Sequence, residues 1–416
     1  MVGFQMLLFL TIELKIDKGD EMKQIFKENK VPIISWATEL EEKTLEQAIN
    51  LTNLPFIHNH ISLMPDAHLG YGMPIGGVIT CKDVIIPHAV GSDIGCGVCF
   101  INTKLNINII PLKEVLSEIR KLVPVGVKKH NKETNFLLDN MPCPDVRLNS
   151  IIHKLFTNAI LQLGTLGSGN HFIELQKNSK DELCIMIHSG SRYMGYKICD
   201  YHNKIAINLN EKYYSSVLTK YELAFLPTNS KEGNDYIEDM NYCIEYAKAN
   251  RKIMLSNCLE ALNKVTLEEI SIHNYIDVAH NYARLEHHFN KDVWVHRKGA
   301  TSAKKDEIGL IPGSQGTSSF IVRGKGEKLS FNSCSHGAGR LMSRKRAKKE
   351  LNFDEEVKRL NNKRIIHTIR TKDDLDESDG SYKNIYEVMD NQSDLVDIVE
   401  ELKPLACIKG KIKRKY

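Results

Sequence analysis

The stretch PHAVGSDIGCGVC, residues 87–99, sets Asp93 and Cys96 three positions apart among Gly91, Gly95 and Gly97. Glycines let the chain turn tightly and let other backbone approach closely. A carboxylate and a thiolate then project from one short loop. A thiolate can bridge two metal ions, and a neighbouring carboxylate can bind one of them. The competing reading is a buried glycine-rich turn that carries a core cysteine, since free Cys is often a small buried hydrophobe. Cys96 and Cys99 do form a Cys-x-x-Cys pair. No second pair completes a structural zinc spacing, and a thioredoxin-like context is absent.

Size and composition bound what surrounds this loop. The 416 residues could hold two or three domains. No linker-like stretch divides residues 22–416, so they read as one large intertwined domain, with 1–21 as an extension outside it and Met22 opening a more ordinary soluble start. A net charge of +4 does not by itself announce nucleic acid. The local clusters Arg344-Lys345-Arg346, Lys348-Lys349 and the tail from Lys409 to Lys415 say more, although such runs are commonly solvated faces. Ten cysteines without framework spacing, and no signal peptide, point to reduced thiols in the cytoplasm. The apolar run 6–12 is too short to cross a bilayer, so no membrane partner is expected.

Periodicity predicts helices over 44–54, 112–122, 155–163 and, longest, 236–265, which carries Asn250-Arg251 near its middle. Residues 128–150, polar and containing Pro142 and Pro144, read as an exposed loop. MPDAHLGYGMPIGGVI, 64–79, reads as a loop bearing Asp66 and His68 that ends in an apolar strand. There these two residues form a turn or support groups in the Asp93 loop. GTLGSGNHFIEL, 164–175, suggests a tight loop feeding a strand; its glycine order is not a dinucleotide fingerprint. A strand over 183–187 runs into HSGSR. His273-Asn274-Tyr275 and His280-Asn281-Tyr282 are look-alikes, of which only one need be functional.

VWVHRKGA, 293–300, looks like a strand entering a basic turn. The Gly and Ser residues of GLIPGSQGTSSFIV, 309–322, can aim backbone N–H groups at phosphate oxygens. In SFNSCSHGAGRLMSR, 330–344, His336 lies among small residues that leave its imidazole approachable, and Arg340 is expected to begin a basic helix. Asp93, Cys96, His171, His188 and His280 together are a mixed oxygen, sulfur and nitrogen set suited to Mn, Fe, Co or Zn. No Walker A sequence is present, nor the Lys-x-Asp-Gly of lysine-adenylating ligases. A nucleotide adduct would therefore fall to His336, since a neutral imidazole is a competent nucleophile towards phosphorus.

Taken in order, MPDAHLG, GSDIGCG, GSGNHFIE, HSGSR, HNY, RKGA, PGSQG, SHGAGR and a late KG resemble the motifs of RtcB-type RNA-splicing ligases, over about residues 30–410. The resemblance implies an α+β domain with helices packed around β-sheets. It implies a GTP- and manganese-dependent enzyme of tRNA splicing or RNA repair. Such an enzyme joins an RNA 3′-phosphate or 2′,3′-cyclic phosphate end to a 5′-hydroxyl end. RNA and GTP are then the partners, with an activating protein partner left open. Carried over by position, Cys96 bridges two Mn²⁺ ions, with His188 and His280 completing one site and Asp93 and His171 the other. The Asn281-Tyr282, Glu286 and His288-Phe289 continuation favours His280 over His273. His336 carries the GMP. The nucleotide contacts fall on Asn170, His171, Phe172, Ile173, Glu174, His280, Asn281, Pro312, Gly313, Ser314, Gln315, Ser319, His336, Gly337, Ala338, Gly339 and Lys409, with Tyr382 packed nearby. Two departures stand out: Gln315 replaces the usual Met, and the chain continues past Gly410. A dinuclear phosphoesterase and a non-catalytic RNA-binding protein are the rival classes.

Overall fold

Residues 24–26, 29–143 and 150–410 are described by the computed structural model; the extension 1–21, Met22 and the tail beyond Gly410 lie outside them. The architecture is α+β. One sheet has six strands in the order Gln24–Phe26, Ile33–Ser35, Ile57–Tyr71, Met73–Cys81, Lys291–Lys298, Asn281–His288. The other has seven, in the order His273–Ala279, Gly97–Asn106, Glu182–Ser189, Phe172–Lys177, Val396–Lys409, Ser319–Gly324, Ile308–Ile311.

Strand alternation sorts the seven-stranded sheet into two faces. Cys99, Ile101, Ile173, Leu175, Ile185, Ile187, Ala406 and Ile408 point to one face. There they pack on the helices Leu112–Leu122 and Lys231–Thr266, which supply Val115, Leu116, Ile119, Met254, Leu255 and Leu262. Fully burying such a side chain stabilises by about 1.5–3 kcal/mol, so this layer fixes the sheet. The opposite face carries Val98, Phe100, Phe172, Met186 and Cys407, covered in part by Leu310 and Ile321.

The long helix starts where the Ser230 hydroxyl accepts from the Gly233 amide and ends at Leu267 in the left-handed conformation. It runs past the expected 236–265 at both ends. Its midpoint is polar although fully buried. The Asn250 side chain bonds the backbone of Thr165 and Gly190 and the Ser189 hydroxyl. Arg251 donates to both Asp277 oxygens, at 2.8 and 2.6 Å, and to the carbonyls of Gly95 and Ser189, each at 3.0 Å. Burial would lower the pKa of this guanidinium, but the Asp277 charge and hydrogen bonds outweigh it and hold the group protonated.

Three local expectations change. Asp66 and His68 are not in a loop: they lie within the strand Ile57–Tyr71, whose register with Met73–Cys81 is irregular on either side of His68. Backbone pairing absorbed a Gly/Pro-rich segment that reads as a turn. The 128–150 region holds a short helix, Asn135–Asp139, capped by the Thr134 hydroxyl and anchored by buried Leu137; residues 144–149 lie outside the described set. The basic helix begins at Arg344, capped by Ser343, and not at Arg340. Cys81, Cys96, Cys99, Cys184, Cys199, Cys243, Cys258, Cys334 and Cys407 are buried free thiols. Among the described residues no helix is long and apolar enough to cross a membrane.

Removing one partner of a buried ion pair leaves an uncompensated charge. Arg251→Ala should therefore lower the unfolding free energy by about 3–5 kcal/mol in urea titrations. A loss below about 1 kcal/mol would mean that solvent can replace the guanidinium.

Candidate active site

The chemistry-bearing residues form a row across one end of the seven-stranded sheet. Gly97 pairs with Ala279 and with Ser189, Val98 with His188, His188 with Phe172, and Phe172 with Lys409. Cys96, His280 and His171 are the residues next to these strand ends. Pairing thus brings together groups that are far apart in sequence. The His280 amide donates to the Cys96 carbonyl at 2.8 Å, and the Cys96 amide to the Asp93 carbonyl at 3.0 Å, which closes the loop. Gly190 is required here: a Cβ would lie 2.2 Å from an Asp93 carboxylate oxygen.

Cys96 Sγ lies 3.4 Å from His171 Nε2 and 3.2 Å from His188 Nε2. His188 Nε2 is 3.3 Å from His280 Nε2, and His171 Nε2 is 3.0 Å from Asp93 Oδ2. Two clusters result, Cys96 with His188 and His280, and Asp93 with Cys96 and His171, each with its ligand atoms within 4.8 Å. Cys96 belongs to both. The His171 Nδ1–H donates to the Leu166 carbonyl at 3.0 Å, which frees Nε2 for a ligand. Burial, with the neighbouring imidazoles, pushes the His188 and His280 pKa values well down and keeps both rings in the neutral, ligating form. Burial and the Asp93 charge push the Cys96 thiol up, a shift that a coordinated cation would reverse. The Asp93 Oδ1 and His280 Nδ1 atoms are buried without partners. The donor set therefore fits divalent transition metals. Cys99 is turned to the helix-covered face, and His273 sits at the far end of the strand that leads to His280.

Beside this row, the six-stranded sheet contributes Asp66. Its buried Oδ2 accepts from the His336 backbone amide at 3.2 Å and pairs with His336 Nδ1 at 2.6 Å. With Nδ1–H donating to the carboxylate, His336 Nε2 keeps a free lone pair. The His336 ring is 4.8 Å from the His280 ring, edge to face. Gly339 adopts φ +70°, and a Cβ there would strike the Asp66 carbonyl at 2.3 Å.

A cavity of about 460 Å³ opens in front of His336 and His188. Asn170, Phe172, Glu174, Pro312, Gly313, Ser314, Gln315, Gly337, Ala338, Gly339, Tyr382 and Lys409 line it, together with Arg340, Arg344 and Arg346. Five of the expected nucleotide contacts do not line it. His171 and His280 face the metal clusters. The Ile173 side chain lies on the opposite sheet face. Asn281 donates to the Asp93 carbonyl at 3.1 Å and accepts from the Gly299 amide at 2.8 Å, so it ties the RKGA turn to the metal loop. Ser319 Oγ accepts from Gln176 and from the Gly313 amide and supports the PGSQG loop from behind. Gln315 uses its amide on the Glu377 carbonyl at 2.7 Å.

Residues 47–410 match the family described as tRNA-splicing ligase RtcB. The chain belongs to the RtcB family. The RNA-splicing ligase RtcB of Escherichia coli K12 is 36% identical, over 91% of this chain and 97% of its own length. The tRNA-splicing ligases RtcB of Nanoarchaeum equitans and Methanococcus maripaludis are 33% and 34% identical, over 96% and 89% of this chain and 100% and 92% of theirs.

The sequence reading of this RtcB-family site missed Glu377. That carboxylate takes Lys409 at 3.2 Å, Arg340 at 3.3 Å, Arg344 at 3.2 Å and the Tyr382 hydroxyl at 2.5 Å. Burial works against its ionisation, yet the Lys409 and arginine charges hold its pKa down to about 2. Nearby Asp379 accepts from the Ser314 hydroxyl. Both acids lie in DDLDESDG, an acidic run that in sequence looks like a solvated loop.

The two clusters share a single sulfur, so Cys96→Ala should strip most bound divalent metal, measured by elemental analysis after gel filtration, while Cys99→Ala keeps it. His280→Ala and His273→Ala should show the same contrast. Equal losses within either pair would show that the ligands are misassigned.

Proposed function

We propose that this protein, through a domain spanning residues 22–416, is a GTP- and manganese-dependent RNA ligase of tRNA splicing or RNA repair. It joins RNA 3′-phosphate or 2′,3′-cyclic phosphate ends to 5′-hydroxyl ends through a His336–GMP intermediate. The observation that carries this reading is His336: its Nδ1 is tied to Asp66, and its ring stands between a nucleotide-sized cavity and the Cys96-centred clusters. A hydrolytic phosphoesterase would need no such free imidazole. Nine buried free thiols support a cytoplasmic location.

In this reading Asp93, Cys96 and His171 hold one ion and Cys96, His188 and His280 the other. When bound, divalent cations offset charge that develops on phosphate oxygens. His336 Nε2 attacks the α-phosphorus of GTP; the N–P bond forms as the bond to pyrophosphate breaks. Asp66 stabilises the ring cation that the attack creates. An oxygen of the RNA 3′-phosphate then takes the GMP, and the N–P bond breaks. Finally the 5′-hydroxyl attacks the activated 3′-phosphorus, loses its proton, and GMP leaves. A cyclic phosphate is first opened by water. Pro312 to Gln315 and Gly337 to Gly339 border the phosphates, and Arg340 and Arg344 supply positive charge at the cavity wall.

Incubation with α-labelled GTP and Mn²⁺ should give an acid-labile, denaturant-stable label on the wild-type chain and none on His336→Ala, whose fold and metal content are intact. Strong labelling of that variant would remove His336 from its role.

In this reading Glu174, in the cavity wall, reads the base. A carboxylate can accept from guanine N1–H and the exocyclic amine together, whereas adenine N1 would face it with a lone pair. Burial pushes the Glu174 carboxyl up to about 7, against the pull of the Gln176 amide and the Lys409 charge. A raised carboxyl is neutral below that value and ionised above it. The GTP-over-ATP preference in guanylylation should therefore grow as pH rises from about 6 to about 8. In Glu174→Gln it should be small and flat, with metal binding unchanged. A wild-type preference that does not move with pH would take Glu174 out of the base pocket.

A further inference from the structure

A second cavity, of about 270 Å³, lies between the helices Arg192–Lys212 and Pro87–Val90, the hairpin tip at Tyr71 and residues 214–224. It shares no lining residue with the nucleotide cavity, and among the described residues no Lys or Arg lines it. Its wall carries two carboxylates, Glu211 and Glu222. Asn203, also in the wall, is 8% exposed, and its buried Oδ1 has no hydrogen-bond partner. The other wall amide, Asn210, is spent on the backbone of Phe225. His88 engages the Glu222 carbonyl through Nδ1 at 3.0 Å, and with Nδ1–H as donor its Nε2 remains an acceptor.

This wall offers acceptors and negative charge. Of the neighbouring ammonium groups, Lys212 and Lys220 lie over the rings of Tyr213 and Tyr221, and Lys298, whose charge acts on Glu222, donates to the backbone carbonyls of Tyr71 and His88. The Tyr71 ring, 59% exposed, adds a face that attracts cations, and its hydroxyl donates to the Glu222 carboxylate and orients it. Bare metal ions fit poorly: hard cations need six or more oxygens at short range, and these carboxylates are not among the metal-capable clusters of the described residues. Apolar wall residues such as Ile207 and Val217 suit a methylene chain instead.

We propose that this second cavity binds an aliphatic ammonium group, with its charge on Glu211, Glu222 and the Asn203 carbonyl and its methylenes on the apolar wall. The chemistry is shared by a free polyamine and by a lysine side chain of a partner protein.

Calorimetric titration of the full-length chain with spermidine, and separately with lysine capped at both ends, at constant ionic strength, tests this. Saturable one-to-one binding is expected, weakened about tenfold or more in Glu211→Gln/Glu222→Gln. Thermal melting checks that the double variant is folded. Binding of spermidine alone identifies a free polyamine. Binding of capped lysine at least as tightly identifies a protein side chain. No binding by either probe, or equal binding to both proteins, overturns the proposal.

Discussion

A buried guanidinium must pair its charge, and the centre of this molecule is built around pairing one. Arg251 spends its charge on Asp277 and both donors of one terminal nitrogen on the carbonyls of Gly95 and Ser189. Those two carbonyls belong to the residues next to Cys96 and His188. The arginine therefore holds the Cys96 loop and the His188 strand at a fixed separation from behind. Asn250, one residue earlier, does the same for Thr165, which precedes the Leu166 that holds His171, and for Gly190, which lies against Asp93. A single turn of one helix thus fixes both halves of the donor set, and it is anchored by apolar residues along the rest of its length.

The cavity in front of His336 follows a different electrostatic logic. Its wall gathers Arg340, Arg344 and Lys409, whose charges would repel one another if nothing stood among them. Glu377 resolves this by standing among Lys409, Arg340 and Arg344. Its own ionisation is held far below the usual range by those same cations. The arrangement holds the basic side chains in one orientation at the cavity wall.

Much of this was legible in the sequence, and the reasons are specific. Asp93, Cys96, His171, His188 and His280 stood out because each lies in a glycine-rich or strand-end motif of unusual composition, and the family resemblance supplied the pairing that spacing alone could not. Helix boundaries at 112–122 were read to the residue because apolar spacing there is uninterrupted. Asp66 was misplaced in a loop because glycine and proline usually signal turns; here an irregular strand uses them. Glu377 was invisible because nothing local separates a buried carboxylate from a solvated one. The second layer of support, Arg251 with Asp277, depends on strand order, and no periodicity encodes that. The displacement of Ile173 and Ser319 from the cavity surface came from alternation and loop backing, which a run of motif residues conceals.

The strand Val396–Lys409 pairs with Phe172–Lys177 through a register shift between Pro404 and Ala406. Before the shift Pro404 faces Gln176; after it Cys407 faces Glu174 and Lys409 faces Phe172. One additional residue in the ladder reverses which side of the sheet every later residue addresses. That irregularity is what delivers the Lys409 ammonium to the cavity, and it turns Ile408 into the apolar layer. This strand counts its residues: its parity is part of the chemistry.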